Sequence, residues 1–238
     1  DFRISFVTLT LPTKQRHSHS EIKSKCLNQF LTVLRQKFGV QNYVWKAELQ
    51  KNGNVHFHLT FDKFIHYLII RKYWNAAIAK LGYVGEYANK FSCMSEAEYI
   101  EYRGASKQKA IEKAKRAYRY GVATNWQSPN STDVKSVKDV KNLASYLSKY
   151  LAKPLATDED SEVIKKSAES WKGRTWFCSQ SLSKLKNVQI RPDKLSKSVF
   201  DWFRSSKSVL ALQFDYCEVI YYKLKNLPKW VVEWLRQN

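Results

Sequence analysis

The chain has 238 residues, and 41 Lys plus Arg against 21 Asp plus Glu leave a formal net charge of +20 with His neutral. An apolar fraction of 44% and an aromatic fraction of 14% are enough to bury a core, which excludes an intrinsically disordered or collagen-like chain. The charge points to a polyanionic partner, because each phosphate neutralised by Lys or Arg releases condensed counterions and adds affinity without reading sequence. A ribosomal-type or merely soluble basic protein would carry the same imbalance.

Cys26, Cys93, Cys178 and Cys217 are far apart and lack the close pairing of zinc ribbons or small disulfide scaffolds, which suits a reduced intracellular compartment. No apolar run is long enough for a bilayer, and the opening DFRISFVTLTLP reads as a strand rather than a signal peptide. A soluble protein with no membrane partner is expected. Met94 is the sole methionine, so the expectation is a trimmed or processed chain.

Arg3 to Leu11 is rich in β-branched and aromatic residues and is stopped by Pro12, as a central strand would be. Ser18 or Ser20 can cap a helix in which Ile22, Cys26, Phe30, Leu31 and Leu34 recur at helical spacing until Gly39. Tyr43 to Gln50 and Val55 to Asp62 alternate on either side of KNGN, a hairpin signal. Tyr67 to Leu81 predicts a helix ending at Gly82. Tyr83 to Asn130 reads as a less regular insertion holding a basic helix, Lys107 to Tyr120, and a turn at SPNS. A short strand, Asp133 to Lys138, leads into a helix, Val140 to Lys153, ended by Pro154.

This order, β, α, β, β, α, insertion, β, α, predicts an α+β fold: a ferredoxin-like split βαβ antiparallel sheet with flanking helices. Residues 1–154 are read as one domain with a basic insertion at about 83–130, and residues 155–238 as a C-terminal extension packed on it. That extension opens with an acidic run, TDEDSE, expected as a solvated loop. VLALQF, CEVIYY and PKWVVEWLRQN carry secondary structure without an assignable motif.

The hairpin register follows from alternation. A two-residue turn at Asn52-Gly53 would set Ala47 opposite His58 and turn the two apolar faces to opposite sides. A three-residue loop, Lys51 to Gly53 with Gly53 left-handed, instead pairs Leu49 with Val55, Ala47 with Phe57, Trp45 with Leu59 and Tyr43 with Phe61. The other face then carries Glu48 opposite His56 and Lys46 opposite His58. One carboxylate and two imidazoles converge where the core does not need them, which outlines a metal site. Such ligands suit Mg²⁺ or Mn²⁺ with positions left for substrate oxygens, and Zn²⁺ tolerates the set too. Solvent-facing strand histidines are the plain alternative. His17 and His19 share the spacing but sit in a polar segment before a helix, where they read as surface residues near a cap. His66 reads as a residue near the start of the next helix.

In VKNLASYLSKYLAK, Val140, Leu143, Ala144, Leu147 and Leu151 form the apolar stripe. Tyr146 and Tyr150 lie four residues apart and so stack one turn above the other, beside that stripe rather than in it. Lys149 and Lys153 lie beyond them. These are either half-buried flanking aromatics with snorkelling lysines or nucleophiles, since a metal and nearby ammonium groups favour phenolate attack on phosphorus.

The ordered set FVTLTLP, then Glu48 with HFH eight residues on, then YLSKYLAK resembles the HUH-endonuclease superfamily of rolling-circle replication initiators. Those families carry a first motif like FxTLT, two histidines flanking a bulky residue, and a YxxK motif. The doubled form here is similar to the two-tyrosine group that includes group A replication proteins of small ssDNA bacteriophages. The resemblance runs from about Phe6 to Lys153 and does not extend to the basic insertion. It implies that His56, His58 and Glu48 hold a divalent metal, Mg²⁺ or Mn²⁺, and that Tyr146 and Tyr150 are the nucleophiles. Lys149 would neutralise phosphate, with Lys153 as a helper on the DNA. It further implies an origin ssDNA substrate, a 5′-phosphotyrosyl intermediate, a host or partner helicase and DNA polymerase, and the cytoplasm of a bacterial host.

On the insertion, Lys109, Lys113 and Arg116 recur along one helix side, with Arg103, Lys107, Lys115 and Arg119 around it. Phosphate contact and a plain solvated face are both consistent with that pattern. Tyr118 and Tyr120 are candidates to stack on unpaired bases. No Walker A pattern is present, so duplex unwinding falls to another protein and ATP is not expected. The readings that remain open are a non-catalytic ssDNA- or RNA-binding module, a relaxase or single-strand transposase with related chemistry, and a zinc-dependent hydrolase that does not use the tyrosines.

Overall fold

Side-chain alternation builds the central sheet. In the computed structural model, which describes residues 4–137, 153–157, 159–184, 194–206, 209–214, 217–222 and 227–237, strands β1 (Ile4–Leu9), β2 (Tyr43–Leu49), β3 (Val55–Phe61), β4 (Thr132–Val137) and β5 (Trp176–Cys178) lie in the order β4-β1-β3-β2-β5. β3 is antiparallel to both β1 and β2, and β2 is antiparallel to β5. A helical run over residues 19–38 follows β1, and the helix Tyr67–Ala79 follows β3. This is the split βαβ order expected from the sequence, an α+β fold, with β5 added outside β2.

Directly opposed residues on antiparallel strands share a face. Val7, Leu59, Trp45 and Phe177 therefore form one row across four strands, and Leu9, Phe57 and Ala47 the next. Both rows face the core with Ile22, Cys26, Phe30 and Leu34 from the first helical run and Ile70, Trp74 and Ile78 from the second helix. Trp74 is the hinge of that packing. Its ring lies edge-on to Phe30 (5.8 Å between centroids) and to Phe57 (6.4 Å), while its Nε1 donates to the Thr10 carbonyl at 2.8 Å.

Helix ends follow local chemistry. Ser18 caps the first run in a reciprocal box with Glu21, and Gly39 ends it at φ 63°. Between them Ile22–Leu27 is π-helical, a widening that the apolar spacing does not announce. His66 caps the helix Tyr67–Ala79 by accepting from the Leu68 amide.

Neither histidine at the start of the first helical run is a fully exposed residue. His19 is buried: its Nδ1 accepts from Gln15 Nε2 at 3.0 Å and its Nε2 lies 3.1 Å from the Ser167 carbonyl, with the ring tilted on Trp171. His17 is half-buried against the Tyr83 hydroxyl, at 3.1 Å. Both partners lie far along the chain, which is why a local polar pattern read as exposure.

The insertion is more regular than expected. It contains three helices, Tyr83–Ser92, Glu96–Tyr102 and Gln108–Ala123, around a small core of Ala88, Phe91, Tyr99 and Trp126. Trp126 sits in the left-handed region at φ 57°, directly after Asn125 at φ 48°. This backbone is costly for non-glycine residues. It folds the indole over Gly121, where a Cβ would collide with three ring carbons.

Leu155–Ser179 belongs to the same compact unit as Asp1–Ser136. Thr157 and Asp160 close a turn in the acidic run, Ser161 stands at the start of the helix Glu162–Glu169, and Ile164 of that helix enters the main core. A second unit, Val137–Pro154 with Gln180–Asn238, contains the helix Lys194–Ser205, a hairpin of β6 (Val209–Phe214) and β7 (Cys217–Tyr222), and the helix Lys229–Gln237. Val199, Phe203, Val231 and Trp234 form its core. No helix among the described residues is long and apolar enough to cross a membrane.

Replacing Gly121 with Ala forces the Trp126 ring off its seat, and overpacking of this kind costs about 1–3 kcal/mol. Urea unfolding followed by tryptophan fluorescence will show that loss, whereas Gly104→Ala, in open space, tests only the cost of its positive φ. Burial holds the His19 pKa below the ordinary imidazole value, partly opposed by its bond to the Ser167 backbone. The unfolded chain therefore takes up the proton first as pH falls. His19 contributes stability above the ordinary imidazole pKa, and that contribution is lost as pH falls through the folded value. Urea midpoints taken between about pH 7.5 and 5 will drop more for the wild type than for His19→Gln.

Candidate metal centre

The β2–β3 hairpin closes through the loop Lys51 to Gly53, with Gly53 at φ 79°. The Gln50 amide donates to the Asn54 carbonyl and the Gly53 amide to the Gln50 carbonyl, both at 2.8 Å. This is the three-residue loop that alternation demands, and the register follows it: Leu49 opposes Val55, Glu48 opposes His56 and Lys46 opposes His58.

Glu48 Oε2 lies 3.1 Å from His56 Nε2 and 2.6 Å from His58 Nε2. The two imidazole centroids are 4.6 Å apart, with planes at 70°. Glu48, His56 and His58 each offer a ligand atom within 4.8 Å of the other two, and among the described residues they are the one group of His, Cys, Asp and Glu that could hold a metal ion. The side chains are 14%, 16% and 8% exposed, so the cluster is sheltered and still open to solvent.

β1 supports the cluster. Thr8 is the Cα partner of His58, and its Oγ1 lies 3.2 Å from His58 Nδ1. Phe6, two residues earlier on the same face, stacks on the His58 ring at 5.8 Å. When the Thr8 oxygen accepts the Nδ1 proton, the Nε2 lone pair is left pointing at the carboxylate side of the site. Two imidazole lone pairs and a carboxylate oxygen directed at one point repel each other unless a cation lies between them, so this donor set fits a divalent ion. Without a metal, the opposite tautomers satisfy the site, each Nε2–H donating to Glu48.

Lys46 stands on the same face. It is buried, and its Nζ donates to Thr175 Oγ1 at 3.3 Å. Burial lowers its pKa, with the Glu48 charge opposing the shift.

Of the residues singled out in the sequence, Glu48, His56 and His58 come together. Tyr146, Lys149 and Tyr150, with the rest of the expected helix from Val140 to Ala152, lie outside the described residues. Lys153 is described and exposed. Lys109, Lys113, Arg116 and Arg119 are exposed on the helix Gln108–Ala123, and Arg119 Nε lies 3.8 Å from Glu96. Tyr118 is not an exposed platform: its hydroxyl donates to the Met94 carbonyl at 2.9 Å and its ring packs on Trp126. Tyr120 is 43% exposed, with its hydroxyl 3.1 Å from Ser128 Oγ.

Sequence reasoning assigned no role to Thr8 or Phe6. Their signal was present, since alternate residues of β1 must share the face of whatever β3 places opposite them. Manganese titration calorimetry should detect one site in the wild type. His58→Ala and Glu48→Gln are expected to remove it, and Thr8→Val to weaken it about tenfold, as loss of an outer-shell partner does.

The profile of the replication-associated protein ORF2 family matches residues 4–155. That stretch exceeds half of the chain and includes Thr8, Glu48, His56 and His58. No curated protein and no solved structure matches the chain significantly. A metal-capable triad raised on a split βαβ sheet and a family match that takes in β1 to β4 lead to one assignment: the chain belongs to the replication-associated protein ORF2 family.

Proposed function

We propose that the chain initiates rolling-circle replication by nicking origin ssDNA with a tyrosine, and that it rejoins strands by transesterification. The observation that carries this reading is the convergence of Glu48, His56 and His58 within a segment that matches a replication-associated family. When bound there, a divalent cation, Mg²⁺ or Mn²⁺, would polarise the scissile phosphate. The chain's own groups do the remaining work. A phenolic oxygen of Tyr146 or Tyr150 forms a bond to phosphorus as the bond to the 3′ oxygen breaks. The phenolic proton is given up, and the leaving 3′ oxygen takes a proton to become a hydroxyl.

The product is a 5′-phosphotyrosyl adduct and a 3′-OH that a polymerase can extend. Lys149, between the two tyrosines in sequence, neutralises phosphate charge, with Lys153 as a helper. The second tyrosine attacks after a round of synthesis and releases a unit-length circle. A two-tyrosine pattern of this kind suits a small phage genome. Lys109, Lys113, Arg116 and Arg119 contact DNA phosphates and so make binding salt-dependent. A partner helicase and polymerase complete the system in a bacterial cytoplasm.

Mixing the protein with Mn²⁺ and labelled origin ssDNA should give an adduct that survives a denaturing gel. Chelation, His56→Ala and the Tyr146→Phe, Tyr150→Phe double variant are each expected to abolish it. Binding without cleavage would mark a non-catalytic module, and cleavage without an adduct a water-using hydrolase. An adduct persisting in the double variant would remove both tyrosines from the role.

A further inference from the structure

The row of residues that carries His58 does not stop at the triad. Thr8 opposes His58, His58 opposes Lys46, and Lys46 opposes Trp176, so these four side chains share one face across β1, β3, β2 and β5. Lys46 and His58 are each 7% exposed, but Trp176 at the end of the row is 49% exposed. By strand spacing its Cα lies roughly 10 Å from that of His58, two strands away. Edge strands usually carry charge or Pro rather than a bare aromatic. Trp176 therefore spends apolar area in water at the margin of the candidate metal centre.

The segment that leads into it is cationic. Lys172 and Arg174 precede it and are exposed. Lys23 Nζ lies 3.3 Å from the Lys172 carbonyl and 3.4 Å from that of Arg174, so a third cation stands at this segment. On the opposite face of the same strand, the Arg174 guanidinium lies 5.5 Å from the Phe177 ring centroid. A half-exposed indole on the face of the candidate metal centre, reached through a segment that carries exposed Lys172 and Arg174, matches a ligand with flat aromatic faces joined by phosphates, which is unpaired DNA. Base stacking on an aromatic side chain needs no base identity, because every base has a π-face.

We propose that Trp176 is a positioning residue that stacks on a base of the single strand and draws the adjoining phosphodiester along the row toward Glu48, His56 and His58. This rests on the function proposed above and adds to it the strand's entry side, the β5 edge.

The test uses the full chain without metal, so that binding is read apart from chemistry. The probe is a fluorescein-labelled oligothymidylate of about 20 nucleotides, longer than a typical single-strand site. Anisotropy should show Trp176→Ala binding about tenfold more weakly than the wild type, Trp176→Phe recovering most of the loss, and Trp176→Leu recovering little. The salt dependence should be unchanged, since no phosphate contact is removed, and so should the thermal midpoint of this half-exposed site. Equal binding by wild type and Trp176→Ala overturns the inference, as does rescue by Leu equal to rescue by Phe, or failure of the wild type to bind. The gel assay on origin ssDNA with Mn²⁺ is read separately. An adduct in the wild type alongside unchanged binding in Trp176→Ala sinks only the stacking role. Absence of the adduct sinks the nicking reading whatever Trp176 does.

Discussion

The register of the β2–β3 hairpin is the constraint on which the rest depends. Side chains alternate with a period of two, so a slip of one residue would exchange Ala47, Phe57 and Leu59 for Glu48, His56 and His58 on the core side. Burying an unpaired carboxylate among Phe30 and Trp74 would cost far more than any turn preference returns. The apolar half of the hairpin thus holds the polar half in place. The candidate metal centre inherits its geometry from the packing of residues that never touch it.

Strands suit this purpose because their positions are held from several directions. β3 is hydrogen-bonded on both sides, by β1 and β2, so His58 cannot move without disturbing two ladders. Thr8 and Phe6 then limit its ring orientation. A ligand on a loop would need a separate ordering cost each time an ion bound, whereas here folding has already met it. The partial exposure of Glu48 and His56 leaves the cluster reachable while the more sheltered His58 anchors it.

The basic helix and the candidate metal centre occupy different regions of the first compact unit. The helix Gln108–Ala123 carries exposed Lys109, Lys113 and Arg116 on a segment with its own aromatic core. Trp126 closes that core at the expense of an unusual backbone, and Gly121 exists to admit its ring. A basic surface held by its own packing can present charge without disturbing the sheet. A long-range excess of positive charge raises the encounter rate with a polyanion, while the group that could hold a metal stands on the sheet.

Local rules were enough for much of this protein. β1, the hairpin, its three-residue loop, a first helix cap at Ser18 or Ser20 and the convergence of Glu48, His56 and His58 all follow from spacing, because alternation and capping act over a few residues. Contacts far along the chain were hidden from the same rules. His19 looked like a surface residue until Ser167 and Trp171 closed over it. The helices Tyr83–Ser92 and Glu96–Tyr102 are short and find their partner in Trp126, so their periodicity was weak. Strand β5 has three residues, too few to signal itself, and only its pairing with β2 sets Trp176 in line with Lys46 and His58. The sequence by itself determined which residues share a face, since that depends on the pitch of the backbone. The tertiary structure decided which faces meet, since that depends on packing between segments far apart along the chain, as His58 is from Thr8 and Ser167 from His19.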